Sequence, residues 1–142
     1  MNLTSEQLSK QMPAFAYGQF WDNTYAEPTL AWLRGPFWNW FLTQRWKLGL
    51  KDYTRRNDCD NFARAWAQGV QDCWGADQLA QGKSPAEGIA AGVFVYHSDK
   101  LGGNHAIGVA SIGGKLVFTE PQNNAGYDLT EKEIASCFFY EF

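Results

Sequence analysis

The sequence predicts an α+β fold in which N-terminal helices pack on a C-terminal antiparallel β-sheet. Two observations carry this prediction: apolar residues recur at helical spacing in the first half of the chain, and alternating, β-branched and aromatic runs fill the second half. Helices followed by strands, rather than an alternation of the two, favour an α+β arrangement. A length of 142 residues fits a single domain. We expect one domain over 1–142, with a mainly helical part at 1–75 and a sheet part at 90–142.

The N-terminus predicts one short helix. The Thr4-Ser5-Glu6 triplet is typical of a helix start, and the helix is expected to run to Met12 because Pro13 cannot continue it. Residues 14–27 are rich in aromatic side chains without a clear period, and we expect them to be irregular.

A second helical region follows. Pro28 suits a first helical turn, and Gly35-Pro36 is expected to interrupt the helix. Apolar residues at spacings of three and four then resume the pattern over 37–50, and Gly49 is the expected stop.

The clearest helix is predicted over residues 59–74. Asn57 or Asp58 supplies the residue type of an N-cap, and Gly75 is expected to follow the helix end. One face of this helix is apolar and contains Cys59, Phe62, Trp66, Val70 and Cys73.

Four strands are predicted after a polar, partly helical connector at 76–89. The β-type runs are 91–97, 104–112, 115–121 and 136–142. Gly113-Gly114 between the second and third runs indicates a two-residue hairpin turn, which would pair Ile112 with Lys115.

Composition narrows the functional classes. The net charge is −3, so nothing favours binding to nucleic acid. The N-terminus lacks the apolar segment of a signal peptide, and no run is long enough to span a membrane. Three cysteines are an odd number for a disulfide framework. We therefore expect a cytoplasmic protein with free thiols, one of which could be reactive.

Cys59 has two interpretations. Free cysteines are among the most buried residue types, so Cys59 could be a core residue. Its place in the first turn of a helix, however, would stabilise a thiolate through the helix dipole and the unpaired N–H groups. Cys73 at the other end of the helix and Cys137 in the last strand are expected in the core.

His105 is the better candidate for a base. With the two-residue turn, His105 lies opposite Gln122, and Glu120 is a diagonal neighbour on the same face of the sheet. Glu120 could then orient the imidazole, with Gln122 as the rival orienting residue. A three-residue turn would move Glu120 to the other face. His97 has no carboxylate at comparable spacing.

The order of a helical cysteine followed by a histidine and an acid on strands is that of papain-type cysteine hydrolases. The words DCDNFA (58–63), NHA (104–106) and TEPQ (119–122) occur in this order. In this respect the chain resembles the papain-like cysteine protease domain at the C-terminus of the fairy-ring mushroom agglutinin and its bacterial and phage relatives, over roughly residues 25–142. The resemblance implies a papain-like fold, with Cys59 as nucleophile, His105 as base and Glu120 as orienting acid.

The remaining candidate residues surround the nucleophile. Gln44 and Asn57 are candidates for a side-chain donor to an oxyanion. The protease domain of the agglutinin is calcium-dependent, and Asp58 and Asp60 flank the cysteine with carboxylate oxygens that suit Ca²⁺. Their simpler roles are to cap the helix and to complement its dipole. We expect no required cofactor, with calcium at Asp58 and Asp60 as the alternative.

The expected function is that of a cysteine peptidase that acts on a protein or peptide substrate by cleaving a peptide or isopeptide bond. Transglutaminase-like and cell-wall amidase activities share the same Cys–His chemistry and remain open. A non-catalytic binding module on the same fold, such as a phage accessory protein, is the alternative outside the enzymes. The sequence does not set the oligomeric state.

Overall fold

The computed structural model describes residues 2–50, 58–83 and 87–142. Five α-helices are present in these ranges: α1 (Ser5–Ser9), α2 (Leu30–Trp32), α3 (Trp38–Lys47), α4 (Cys59–Ala80) and α5 (Glu131–Ala135), with a π-helical turn at Leu33–Phe37. The strands are β1 (Asn2–Thr4), β2 (Tyr17–Gln19), β3 (Thr24–Ala26), β4 (Gly88–Ile89), β5 (Ala91–Ser98), β6 (Gly103–Ile112), β7 (Lys115–Thr119), β8 (Gly126–Tyr127) and β9 (Phe139–Glu141). Within the described ranges, no helix is both long and apolar enough to cross a membrane.

The main sheet has six strands in the order β2-β9-β5-β6-β7-β8. Every neighbouring pair is antiparallel except β2 and β9, which are parallel at one edge. A smaller sheet has the order β1-β3-β4. The predicted α+β class with helices on an antiparallel sheet is confirmed, but the prediction that residues 14–27 are irregular is wrong, because this segment contributes β2 and β3.

The helical region after Thr29 is continuous from Leu30 to Lys47. The predicted interruption at Gly35-Pro36 is wrong, because a π-helical turn includes Pro36 inside the helix. The wider turn accommodates a residue that cannot donate a backbone hydrogen bond. The predicted stop is confirmed, since Gly49 follows the helix with a φ of +76°.

Helix α4 begins at Cys59 as predicted but ends at Ala80 rather than Trp74. Gly75 does not end it, because a helix tolerates a single internal glycine at a cost of only about 1 kcal/mol. Beyond Gly75, Asp77 accepts a hydrogen bond from the indole of Trp32 at 2.8 Å, which ties the additional turns to α2. Gly82, with a φ of +71°, follows the end of the helix.

The β6–β7 hairpin has the predicted register. Ile112 pairs with Lys115, and Gly113 and Gly114 form the turn with φ values of +59° and +74°. Both values lie in the left-handed region that a two-residue turn of this type requires. The ladder continues to the Gly108–Thr119 pair and ends there.

Helix α4 packs across β5 and β6 through small residues of β6. A Cβ atom on Gly108 would lie 2.8 Å from the ring of the buried Trp66, so only glycine permits this approach. Ala106 and Ala110 on the same face also contact the helical layer. The other face of the sheet forms a separate aromatic core with Phe94, Tyr96, Ile107, Val109, Phe118 and Tyr140. The close packing fixes the start of α4 against the start of β6.

Candidate active site

The thiol of Cys59 lies at the N-terminal end of α4. Asp58 occupies the N-cap position with extended backbone angles, φ −97° and ψ −173°, and Cys59 is the first helical residue. The cysteine is half-buried and packs against a small cluster that contains Ala63, Val93 and Ala106. Its position combines partial access to solvent with the positive end of a 22-residue helix.

His105 and Glu120 form a buried pair. The Nε2 atom of His105 lies 2.9 Å from Oε2 of Glu120, and each side chain is 7% exposed. The two residues lie just beyond the last paired residues of the β6–β7 ladder, Gly108 and Thr119. They are brought together on one face, as the two-residue turn requires.

Two tyrosine rings flank the imidazole. The ring of Tyr96 on β5 lies 6.0 Å from that of His105 in an edge-on arrangement, and the ring of Tyr127 on β8 lies 6.1 Å away. These rings shield the His105–Glu120 pair from water and restrict the orientation of the imidazole. The sequence reasoning missed both tyrosines. The alternation of β5 could have indicated Tyr96, which lies opposite His105 in the ladder.

The pKa values of the thiol and the imidazole move toward an ion pair. A hydrogen bond with His105 lowers the pKa of Cys59 and outweighs the opposing effect of burial, and a hydrogen bond from the backbone of Ala106 adds to the lowering. Burial alone would lower the pKa of His105, but its hydrogen bonds with Cys59 and Glu120 raise it to about 9. Both shifts favour transfer of the thiol proton to the ring. Because Glu120 engages Nε2, Nδ1 is the ring nitrogen that is left to accept the thiol proton.

Glu120 is held by its own loop. Its Oε1 atom accepts a hydrogen bond from the backbone N–H of Gln122 at 3.2 Å, and its backbone N–H donates to the carbonyl of Ala125 at 2.8 Å. Gln122, the predicted rival, thus contributes its backbone N–H to Glu120, and Nε2 of His105 has Glu120 as its partner. Each carboxylate oxygen therefore has a defined role, one toward the loop and one toward the imidazole.

A cleft of about 470 Å³ opens over the thiol and the imidazole. It is lined by Cys59, His105 and Glu120, together with Leu101, Asn104 and Tyr127 among others. A larger groove of about 750 Å³ lies between α4 and the β9–β2 edge, with Trp21, Arg64 and Glu141 in its walls. No cysteine or histidine lines the larger groove. Nucleophilic chemistry therefore favours the smaller cleft.

The other predicted site residues have different surroundings. Gln44 is half-buried on α3 and is not among the residues that line the cleft. Asn57 lies outside the described residues. His97 is exposed on β5.

Asp58 and Asp60 interact with each other. A hydrogen bond between the two side chains lowers the pKa of Asp58 and raises the pKa of Asp60. Two carboxyl groups alone supply fewer oxygens than the six or more that Ca²⁺ normally takes. In the part of the chain that the structure describes, no three His, Cys, Asp or Glu side chains cluster closely enough to hold a metal ion. A calcium site at Asp58 and Asp60 would therefore need further oxygen ligands beyond these two carboxyl groups.

The remaining cysteines are buried. Burial raises the pKa of Cys73 on α4 to about 11, with the charge of Asp77 acting in the same direction, and burial also raises the pKa of Cys137 to about 11. Both therefore remain protonated and inaccessible near neutral pH. Cys59 is the one cysteine among the three whose pKa falls.

The fold was compared with known proteins. No protein-family model matches the sequence, and no match was found among curated proteins. A chain solved as a PSL1a–E64 complex is similar in structure, with a TM-score of 0.72 and 18% sequence identity over 99% of this chain and 51% of that chain. Polyporus squamosus lectin, bound to the human-type influenza-binding epitope Neu5Aca2-6Galb1-4GlcNAc, gives a TM-score of 0.69 and 18% identity over 99% of this chain and 49% of the lectin chain. The chain therefore spans about half the length of the solved chains, and it has the α+β, papain-like fold of that half.

Proposed function

We propose that the protein is a cysteine peptidase of the papain-like type, in which Cys59 is the nucleophile, His105 the general base and Glu120 the orienting acid. The observation that carries the proposal is the contact of the Cys59 thiol with an imidazole whose other nitrogen lies 2.9 Å from a buried carboxylate. The similar PSL1a chain was solved as a complex with E64, and this likeness of fold supports the proposal.

The proposed reaction uses each residue at a stated atom. The thiol proton moves to Nδ1 of His105, and the thiolate of Cys59 attacks the carbonyl carbon of a peptide or isopeptide bond. N–H groups at the first turn of α4 are available to stabilise the negative charge on the carbonyl oxygen. His105 then protonates the leaving amine as the C–N bond breaks. Water, deprotonated by His105, hydrolyses the thioester and restores the thiol.

The same first step serves two other acyl-transfer reactions. An amine in place of water would give a transglutaminase-like product, and a peptidoglycan amide would make the enzyme a cell-wall amidase. Assays with casein, with an amine acceptor and with peptidoglycan distinguish the three activities, because each gives a different product. We expect hydrolysis of casein, and neither of the other products.

A catalytic role for Cys59 is tested with Cys59→Ala and with Cys73→Ala as the matched control on the same helix. Cys59→Ala should abolish hydrolysis and covalent labelling by E64, measured by intact-protein mass spectrometry, because no other described cysteine has a lowered pKa. Cys73→Ala should keep both activities. Hydrolysis by Cys59→Ala at the wild-type rate would contradict the proposal, as would a wild-type Cys59 that titrates like a free thiol, which would favour a binding module.

The proposed mechanism requires no metal, and the thiol suits a reducing compartment such as the cytoplasm. We expect the rate of hydrolysis to remain unchanged after exhaustive dialysis against EDTA. A loss of activity that Ca²⁺ restores, and that Asp60→Asn abolishes, would instead favour a calcium site around Asp58 and Asp60.

A further inference from the structure

The side chain of Arg45, in the helical layer, reaches the loop that presents the orienting acid. Nη1 of Arg45, near the end of α3, donates to the backbone carbonyl of Gln122 at 2.7 Å and lies 3.4 Å from the carbonyl of Pro121. The guanidinium also lies 5.4 Å from the centroid of the Trp38 ring, one face of which restricts its position. The bond joins residues 77 positions apart in the sequence.

The β6–β7 ladder does not extend to this loop, which instead connects β7 to β8 and is closed by the Thr119–Gly126 pair. The β6–β7 ladder ends at Gly108 and Thr119, so Glu120 has no ladder partner on β6. Its carboxylate is oriented instead by the N–H of Gln122, the residue whose carbonyl Arg45 binds. The N–H of Gln122 holds Oε1 of Glu120, so that Oε2 can contact His105. A movement of Gln122 would therefore also displace Oε2 from His105.

The loop makes a tight turn at Asn124, and this residue forms a second hydrogen bond to the helical layer. The N–H of Asn124 donates to the carbonyl of Glu120 at 2.9 Å, and Asn124 has a φ of +62°, in the left-handed region. The side-chain amide of Asn124 donates to the carbonyl of Arg34 in the π-helical turn at 3.2 Å. The helical layer thus holds the loop on both sides of Gln122.

We propose that Arg45 is a positioning residue for the catalytic groups: by binding the carbonyl of Gln122, it holds the Glu120 carboxylate against Nε2 of His105 and so sets the thiolate character of Cys59. This inference rests on the proposed function. Arg45 does not touch the reacting atoms and acts through the loop and Glu120. The planar guanidinium suits this role, because it can donate to two adjacent carbonyls while its face packs on Trp38.

The test compares Arg45→Met, which keeps the aliphatic stem and removes the donors, with Lys47→Met, the same kind of change at an exposed position of the same helix. The first measurement is the rate of Cys59 alkylation by iodoacetamide as a function of pH. Arg45→Met should move the midpoint upward, toward that of an ordinary thiol, and Lys47→Met should leave it in place. In peptide hydrolysis, Arg45→Met should lower kcat about 10- to 100-fold, the usual cost of misplacing a supporting residue, with KM within about twofold.

A double-mutant cycle shows whether Arg45 acts through Glu120. In a Glu120→Gln background, Arg45→Met should change the alkylation midpoint and kcat by less than about twofold further, because the group it positions is already altered. Arg45→Lys, which keeps one charged donor, should give intermediate values, and it replaces Arg45→Met should the latter not fold.

The outcomes separate this inference from the proposed function. A wild-type midpoint at that of an ordinary thiol would overturn the proposed thiolate mechanism itself. A lowered wild-type midpoint that Arg45→Met and Arg45→Lys leave unchanged would overturn only the role of Arg45. The same conclusion follows from fully additive effects of Arg45→Met and Glu120→Gln, or from a lower melting temperature without any change in the pH profile.

Discussion

Replacing Glu120 with glutamine removes one negative charge from the buried pair and leaves its shape nearly unchanged. The carboxylate lies 2.9 Å from Nε2 of His105, and both side chains are 7% exposed, so solvent screens the interaction little. The neutral amide of glutamine can donate a hydrogen bond to the ring through its NH₂ group, or accept a weaker one through its carbonyl oxygen. In neither case does it stabilise the charged imidazolium as the carboxylate does. His105 then becomes a weaker acceptor for the thiol proton, and the lowered pKa of Cys59 depends on that acceptor.

The structure sets the size of this effect. The rise in the pKa of His105 from 6.5 to about 9 corresponds to about 3 kcal/mol in favour of the charged ring, after burial has been overcome. A hydrogen bond to a charged group contributes about 1.5–3 kcal/mol of this kind of stabilisation. Glu120→Gln should therefore return the pKa of His105 toward 6.5, raise that of Cys59, and lower kcat by about 10- to 100-fold.

The effect is measured as the pH dependence of Cys59 alkylation by iodoacetamide, alongside kcat and KM for a peptide substrate. Glu6→Gln is the matched control, because Glu6 forms an exposed ion pair with Lys10 far along the chain from the site. It should leave both measurements unchanged. If Glu120→Gln keeps the wild-type alkylation midpoint and kcat, Glu120 does not stabilise the imidazolium and the reasoning is refuted.

Two further predictions follow from the same structure. The rate of hydrolysis by the wild type should fall at alkaline pH with a midpoint near pH 9. The pKa of His105 is raised to about 9, so above this pH the imidazole no longer carries the proton that it gives to the leaving amine. A flat rate from pH 8 to 10 would contradict this. Gly108→Ala should lower the free energy of unfolding by about 1–3 kcal/mol in urea titrations, because its Cβ would lie 2.8 Å from the Trp66 ring. Gly75→Ala is the control, with open space around its Cβ inside a helix and an expected gain of about 0.5–1 kcal/mol; equal effects of the two changes would refute the packing argument.

Local chemistry made the His105–Glu120 pair predictable. The Gly113-Gly114 turn requires positive φ at both positions, and once its length is known, strand alternation determines which side chains share a face. Helix α4 was predictable at its start because Asp58 and the spacing from Cys59 onward act within one turn. Neither inference needed contacts between distant parts of the chain.

Other features depend on distant contacts and could not be predicted in this way. The parallel pairing of β2 with β9 joins Gly18 to Tyr140, where a Cβ on Gly18 would clash with the tyrosine ring, and no local pattern indicates this pairing. The end of α4 depends on the Trp32–Asp77 hydrogen bond, which outweighs the weak stop signal of Gly75. Arg45 has no motif of its own, because its partners are backbone carbonyls that any residue would provide.

Cys59 and Cys73 are 14 residues apart on one helix, and their difference shows which physical effect decides reactivity. Burial acts on both thiols in the same direction and raises the pKa of each. At Cys73 the nearby charge of Asp77 adds to this effect, and the pKa rises to about 11. At Cys59 the hydrogen bond with His105 exceeds it, so the sign of the shift reverses. The helix dipole also favours the thiolate of Cys59, which lies in the first turn, and has little effect on Cys73, which lies inside the helix. The decisive difference is that Cys59 has a proton acceptor with a carboxylate behind it and Cys73 does not. Removal of His105 should therefore raise the pKa of Cys59 to or above that of an ordinary thiol, even though the helix is unchanged. If His105→Ala leaves the alkylation midpoint of Cys59 low, the helix N-terminus, rather than the imidazole, activates the thiol.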